Sequence, residues 1–262
     1  MKTEIIIPTF GQEDFTCACF ESIARHTKDY RLVWLDNGSD ASSRNVVMPS
    51  FKKNRGRMSL WLGENKGFVG GVNLALKVLF DVWGTKSEYI VIQNNDTVVG
   101  PGWLVKMISV MENDAKIGAV GPVSAWRGDG MQCWNNVLPV AYHGQYQGMS
   151  VDERAQTIWG VNRHKHVKVP VVTFFCTVFR REVFDKIGML DPDYGFGLYD
   201  DHDFCARLKS AGYACAVATG VYVLHHHRTT FKSMMSDAEI ERAKEENRRL
   251  FLSKRAKGGQ GG

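Results

Sequence analysis

No run of apolar residues in this chain approaches the roughly 20 that a membrane-spanning helix needs, and the opening Ile5-Ile6-Ile7 is too short for a signal-peptide core. Both absences point to a soluble, cytoplasmic protein. The six cysteines are scattered, with none of the density that staples a small secreted domain. Buried free thiols are the expectation. Cys17 and Cys19 stand one residue apart with no second pair to complete a zinc site, so no zinc is assigned. Internal repeats and long low-complexity linkers are missing too, which leaves one domain over residues 1–262. Nor is there a large excess of one charge: the net +5 is spread among acidic residues and favours an anionic ligand only weakly. The most basic stretches, 52–57, 163–168 and the tail from Arg242, read as solvated surface.

What is present is ordinary globular material, 44% hydrophobic and 23% charged. The first half alternates short β-rich runs with helical stretches, the pattern of an α/β fold with a mainly parallel, Rossmann-like central sheet flanked by helices. Strands are expected over 4–8, 31–36, 58–62, 89–94 and 119–123, and helices over 14–26, 42–54, 67–83 and 101–113. Pro101 opens the last of these, where its missing donor does no harm. From 126 to 166 the periodicity fades into a stretch with Trp134, Tyr142, Tyr146 and Trp159, and no element is assigned there. An apolar strand over 169–179 then leads to a short helix over 181–187, a Gly- and Tyr-rich loop to Tyr199, and a helix over 200–211. Ser236 with Glu239 forms a capping-box signature for a charged helix running to Lys254, and 258–262 is expected to be disordered.

Sheets of this kind bind ligands beyond the carboxyl ends of their strands. Four polar loops fall there: Thr9, Asp36-Asn37-Gly38, Asn65-Lys66-Gly67 and Asn94-Asn95-Asp96. Asn94 and Asp96, two apart, can face one hard divalent cation; the same three residues also make a good turn. The run from Asn65 to Asn73 carries Gly67, Gly70 and Gly71, which suit close approach of backbone to a phosphate or sugar, or simply a tight packed turn. Pro8-Thr9-Phe10-Gly11 does not supply Gly-x-Gly-x-x-Gly after the first strand, which disfavours a dinucleotide-dependent dehydrogenase.

Later in the chain, Tyr199-Asp200-Asp201-His202-Asp203 places three carboxylates at a helix start, where the helix dipole favours negative charge. Asp200 suits a cap and Asp203 the first turn, which leaves Asp201 to point into a site as a general base. His225-His226-His227 ends an apolar strand, and alternation puts His225 and His227 on one face. Such histidines either bind a metal beside carboxylates or form polar surface.

Taken together and in order, these motifs resemble glycosyltransferase family 2, its rhamnosyl- and galactofuranosyl-transferase-like members, from about Ile5 to Thr230. Ile7-Pro8-Thr9-Phe10 resembles the opening strand, 35–40 the nucleoside loop, 65–73 the donor loop and 92–97 the metal motif. The segment 179–188 is similar to the one before the acceptor site, and Asp200-Asp201-His202-Asp203 to the acidic catalytic motif. Two positions depart from the family: Asn94 replaces the first acid of Asp-x-Asp, and Asp200 replaces a glutamate. Arg228 also stands where glycine is common.

The resemblance implies a GT-A fold and an inverting, metal-dependent transfer from a nucleotide diphosphate sugar, a UDP- or dTDP-sugar above all, to an acceptor hydroxyl. By it Pro8, Thr9, Phe10, Asp36, Asn65, Lys66, Gly67, Gly71, Asn73, Asn94, Asn95 and Asp96 bind the nucleotide sugar. Asp96 and His225 hold manganese or magnesium, Asp201 is the base, and Asp200 and Asp203 cap the helix or meet the acceptor. Residues 1–123 form the nucleotide-sugar half, 124–235 the acceptor half and 236–257 a terminal helix. The expected acceptor is a surface or lipid-linked glycan, with a hydroxylated DNA base as an alternative. A non-catalytic nucleotide-sugar binder and a nucleotidyltransferase are the rival readings.

Overall fold

The computed structural model describes residues 2–125, 132–133, 148–227 and 234–258. Strands β1 (Thr3–Thr9), β2 (Tyr30–Asp36), β3 (Met58–Trp61) and β4 (Tyr89–Gln93) alternate with helices α1 (Glu13–His26), α2 (Ala41–Lys52) and α3 (Gly67–Lys77). They pair in the parallel order β3-β2-β1-β4. Strands β1, β2 and β4 are covered on both faces and have to be apolar on both sides, while the edge strand β3 is half-exposed. Ile5 and Ile7 join one buried cluster, with α1, α2 and Trp34, while Ile6 joins the other, with Val69, Val72 and Leu76 of α3. Asp40 caps α2 by accepting the Ser43 N–H at 2.8 Å.

Beyond β4 the sheet turns mixed. After β5 (Thr97–Val99), α4 (Trp103–Asn113) and β6 (Ile117–Val123), the chain forms α5 (Val151–Asn162) and β7 (His166–Val169). It continues through β8 (Cys176–Arg180), α6 (Arg181–Ile187), α7 (Asp200–Ser210), β9 (Ala214–His225) and α8 (Asp237–Gly258). Strand β8 runs antiparallel between β4 and β6, and β9 runs parallel to β6. The β6–β9 register jumps between Pro122 and Val123, so the 12-residue β9 curls, and its far end pairs antiparallel with β5.

The structure corrects several sequence expectations. The strand read over 169–179 is two strands, because Pro170 cannot donate to a ladder; β7 pairs with β9, and β8 crosses into the sheet centre. The helix expected over 67–83 is α3 continued by a π-turn at Val78–Val82. Helix α4 starts at Trp103 behind Gly102, whose φ of 69° leaves Pro101 outside the helix. In the stretch left unassigned, Ser150 and Glu153 form a reciprocal capping box that starts α5. The box at Ser236 and Glu239 starts α8 as read. Trp134, Tyr142, Tyr146, Arg228, Thr230 and residues 259–262 lie outside the described residues.

Candidate active site

Parallel pairing brings the ends of three strands side by side, in the register Thr9 to Asp36 and Asp36 to Trp61. The Asp36 side chain is 1% exposed. Arg44 of α2 donates to its Oδ2 at 3.0 Å, also donates to the Ser39 carbonyl, and lies 5.4 Å from the Trp61 ring centre. Thr9 Oγ1 stands 3.4 Å from Asp36 Oδ1 and accepts from the Trp34 indole at 2.8 Å. Pro8 and Phe10, half-buried, flank it.

Asn37 stitches this corner to the next loop: its Nδ2 donates to Asn65 Oδ1 at 2.9 Å and to the Gly67 carbonyl at 3.0 Å, and its Oδ1 accepts the Lys66 N–H at 3.0 Å. Two glycines there are demanded by packing within the protein. A Cβ on Gly67, at φ 72°, would stand 2.7 Å from the Gly195 carbonyl oxygen, and one on Gly71 would stand 2.9 Å from Leu35 Cδ2. Lys66 is exposed and pairs with Glu64. Asn73 spends both ends of its carboxamide on the Leu190 backbone, at 2.8 and 3.0 Å, so it braces the loop that carries Leu190.

The turn after β4 is where distant parts of the chain meet. Because β5 pairs with β9 in the register Thr97 to His225, Asp96 is carried to the histidine, and His225 Nε2 stands 3.2 Å from Asp96 Oδ1. Both side chains are nearly buried, 9% and 5% exposed. Asn94 Nδ2 is 3.4 Å from the same nitrogen, and the Phe175 ring stacks on the imidazole with centres 4.7 Å apart. Asn95 turns the other way and donates to Thr16 Oγ1 at 2.9 Å, which anchors the turn to α1. His227 sits beside His225, ring centres 3.9 Å apart, while His226 packs on Phe15, where burial pulls its pKa down.

The donor set suits manganese or magnesium: a carboxylate oxygen, an imidazole nitrogen and a nearby carboxamide, with His225 Nδ1 buried and lacking a hydrogen-bond partner. No group of three or more His, Cys, Asp or Glu able to hold a metal occurs among the described residues. A cation held by two such residues would take its remaining ligands from water or phosphate, as magnesium sites usually do.

The acidic helix start divides its carboxylates differently from the sequence reading. The N-cap of α7 is Tyr199, not Asp200. Asp200 is the first helical residue, buried, and its carboxyl is pushed up to about 8 by burial and by the neighbouring Asp201. Asp201 Oδ1 accepts from both the backbone N–H and Nδ1 of His202, each at 2.8 Å. Burial pulls the His202 imidazole down, but that bond and the negative charges of Asp201 and Asp200 together outweigh it and the pKa is raised. Asp203 is committed elsewhere: Arg207 donates to it at 2.8 Å and to the Ile187 and Met189 carbonyls at 2.8 and 3.0 Å.

The loop entering α7 is strained, with Leu198 and Tyr199 at φ of 69° and 73°. Asn247 of α8 holds it, its Nδ2 lying 2.8 Å from the Gly197 carbonyl and 2.9 Å from that of Leu198. Lys254 pairs with Asp191 and Asp193, and Phe251 packs near Tyr199 and His202. Nothing in the sequence singles out Asn247, which carries no signal on a helix dominated by Glu, Arg and Lys.

Burial of Asp200 has a pH consequence. Its folded pKa lies above the unfolded value, so folding favours the protonated form. The penalty is absent below the unfolded pKa, grows as pH rises, and is complete above about 8. Asp200→Asn, a neutral isostere, is expected to raise the melting temperature at pH 8 and not at pH 3.5. Equal shifts at both pH values in thermal melts would contradict this.

A parallel half-sheet ending in an Asn-Asn-Asp turn, and a mixed half that returns a histidine to that turn, define the GT-A class of glycosyltransferases. The sequence model of glycosyl transferase family 2 matches residues 4–188, and the chain belongs to that family. It is 28% identical over 234 residues to an uncharacterized protein of Mycobacterium tuberculosis (strain H37Rv), covering 86% of this chain and 74% of the relative. It is 23% identical over 202 residues to the N-acetylglucosaminyl-diphospho-decaprenol L-rhamnosyltransferase of the same strain, covering 73% and 64%.

Among solved structures, the mannosyltransferase PcManGT from Pyrobaculum calidifontis in complex with GDP-Man and Mn2+ superposes with a TM-score of 0.60 at 16% identity. GalNAc-T7 with UDP, GalNAc and Mn2+ gives 0.62 at 12%. Both likenesses cover 86% of this chain, which spans 56% and 44% of those two chains, so what they share is the fold. The family match stops at residue 188, short of Asp201 and His225.

Proposed function

We propose that this chain transfers a sugar from a nucleotide diphosphate sugar to an acceptor hydroxyl, with inversion, and that transfer depends on manganese or magnesium. The observation that carries the reading is the meeting of Asp96 and His225 at 3.2 Å, across 129 positions of sequence (225 − 96), beside the nucleoside corner of the sheet. In this reading residues 1–123 hold the donor and 124–235 the acceptor. Asp201 takes the proton of the attacking hydroxyl. Both of its hydrogen bonds to His202 fall on Oδ1, so Oδ2 keeps its lone pairs for that hydroxyl. A divalent cation held by Asp96 and His225 supplies charge neutralisation at the departing diphosphate. The hydroxyl oxygen bonds to the anomeric carbon from the face opposite the phosphate, which leaves as a nucleoside diphosphate.

A lipid-linked or surface glycan is the proposed acceptor, supported by the decaprenol-linked substrate in the name of one relative. Nothing in the relatives or structural neighbours favours a DNA base. No helix among the described residues is long and apolar enough to cross a membrane. A screen of nucleotide sugars with manganese, reading released nucleoside diphosphate with and without glycan acceptors, tests the reading. One donor class should turn over, faster with acceptor. A protein that binds donors and never turns them over would favour the non-catalytic rival.

A further inference from the structure

Histidine is the side chain whose charge changes nearest neutral pH, and one hydrogen-bonds the base candidate. His202 Nδ1 lies 2.8 Å from Asp201 Oδ1, and because a carboxylate only accepts, that nitrogen carries the proton. Nε2 is the nitrogen left to titrate. The His202 side chain is 40% exposed against 16% for Asp201, so the imidazole reaches solvent more freely than the carboxylate it touches. Its ring is placed from two sides, by Tyr199 with centres 4.6 Å apart and by Phe251 of α8 at 6.1 Å. The backbone N–H of His202 donates to the same Oδ1 at 2.8 Å. Two donors on one oxygen hold the carboxyl group in one orientation.

The charges that favour imidazolium against the pull of burial are on its own helix, Asp201 and behind it Asp200. On α8, the cations a turn from Phe251 are Arg248, paired with Glu245, Lys254, paired with Asp191 and Asp193, and the exposed Arg255. We propose that His202 is the positioning residue of the base and also its proton gate. Neutral, it holds Asp201 with Oδ2 open to the acceptor hydroxyl; as imidazolium, it offsets the carboxylate charge and slows proton transfer. The hydroxyl proton goes to Oδ2 as the oxygen bonds to the anomeric carbon, and His202 keeps its Nδ1 proton throughout. A second proton, on Nε2, puts a full positive charge in contact with the carboxylate, which lowers proton affinity there and with it the rate. The inference rests on the proposed role of Asp201 in glycosyl transfer and deepens it.

Two measurements on the full chain test it. In the first, the His202 imidazole is titrated by nuclear magnetic resonance, its signal assigned by its loss in His202→Asn. The wild-type midpoint is expected above the ordinary 6.5, and Asp201→Asn should lower it. In the second, kcat is followed from about pH 5.5 to about pH 9 with magnesium. The readout is nucleoside diphosphate released from the first of UDP-glucose, UDP-galactose, dTDP-rhamnose and GDP-mannose to turn over. The wild-type rate should rise through the His202 midpoint by about 3- to 30-fold, an effect on kcat and not on the donor KM. His202→Asn puts an N–H donor at the place of Nδ1 and cannot gain charge, so its profile should be flat across that midpoint. His202→Leu leaves Oδ1 only the backbone bond and should run slower than His202→Asn at every pH. Asp200→Asn removes the separate titration at about 8 and should leave the lower rise in place. A rise that persists unchanged in His202→Asn, the sign of a merely structural role, overturns the gate. A midpoint that Asp201→Asn does not move overturns the pairing, as His202→Leu matching His202→Asn overturns the positioning. A wild type that turns over none of the donors while its midpoint still answers to Asp201→Asn sinks the glycosyl-transfer reading itself, and the gate falls with it.

Discussion

Asp201→Asn is expected to leave nucleotide affinity unchanged and to lower kcat by about 100-fold or more, the usual worth of a positioned proton acceptor. The substitution is close to isosteric, and its Oδ1 can still accept the His202 N–H that the aspartate accepts at 2.8 Å. Folding and donor binding should therefore survive, and only the basicity is removed. Steady-state transfer measured beside calorimetry with the nucleoside diphosphate separates the two quantities. Transfer within a few-fold of wild type would remove Asp201 from the base role. Asp203 is a poor understudy, since Arg207 holds its carboxylate at 2.8 Å and ties it to the loop before α7.

Asp96→Ala should be as severe for a different reason. If Asp96 and His225 hold the cation, a chelator abolishes transfer in the wild type and manganese or magnesium restores it. In Asp96→Ala the restoration fails, a loss of about 100-fold or more as charge on the leaving group goes uncompensated. His225→Ala should lose less, because Asp96 and the phosphates can still bind the ion. Asn94→Ala should lose least of the three, its carboxamide standing 3.4 Å from the imidazole. Full activity in chelator would defeat the claim, as would a manganese complex with His225 remote from the ion. Leaving-group stabilisation would then fall to cationic side chains such as Lys66.

The parallel half of the sheet was legible because β1, β2 and β4 are apolar on both faces and its strands are separated by well-marked helices. The mixed half was not. Thr97-Val98-Val99 is too short to show any period, yet this strand delivers Asp96 to His225. A continuous apolar run such as 169–179 does not reveal where a chain changes partners, and Pro170 was the one available sign. At the site, the placement of Asp96 beside His225 followed from family resemblance and from both lying at strand ends. The bonds from Asn73 to the Leu190 backbone and from Arg207 to Asp203 had no sequence signal, because a carboxamide or carboxylate near a site looks the same in sequence whether it faces a ligand or another part of the chain. Arg44 lay inside a helix with nothing in its spacing to single it out.

Apart from Asn247 and Lys254, helix α8 meets the rest of the fold, among its described side chains, through the fully buried Ile240 and the half-buried Leu250 and Phe251, while most of its length is charged. Elements with so little apolar contact open at far lower free energy than a core strand does. Their brief detachment is a partial unfolding that the central sheet does not register. Each such opening would release the strained corner at Leu198 and Tyr199 from Asn247 and let the start of α7 drift. In mild urea the enzyme should consequently fall silent while its circular dichroism still reports an intact sheet, and regain its rate on dilution without refolding.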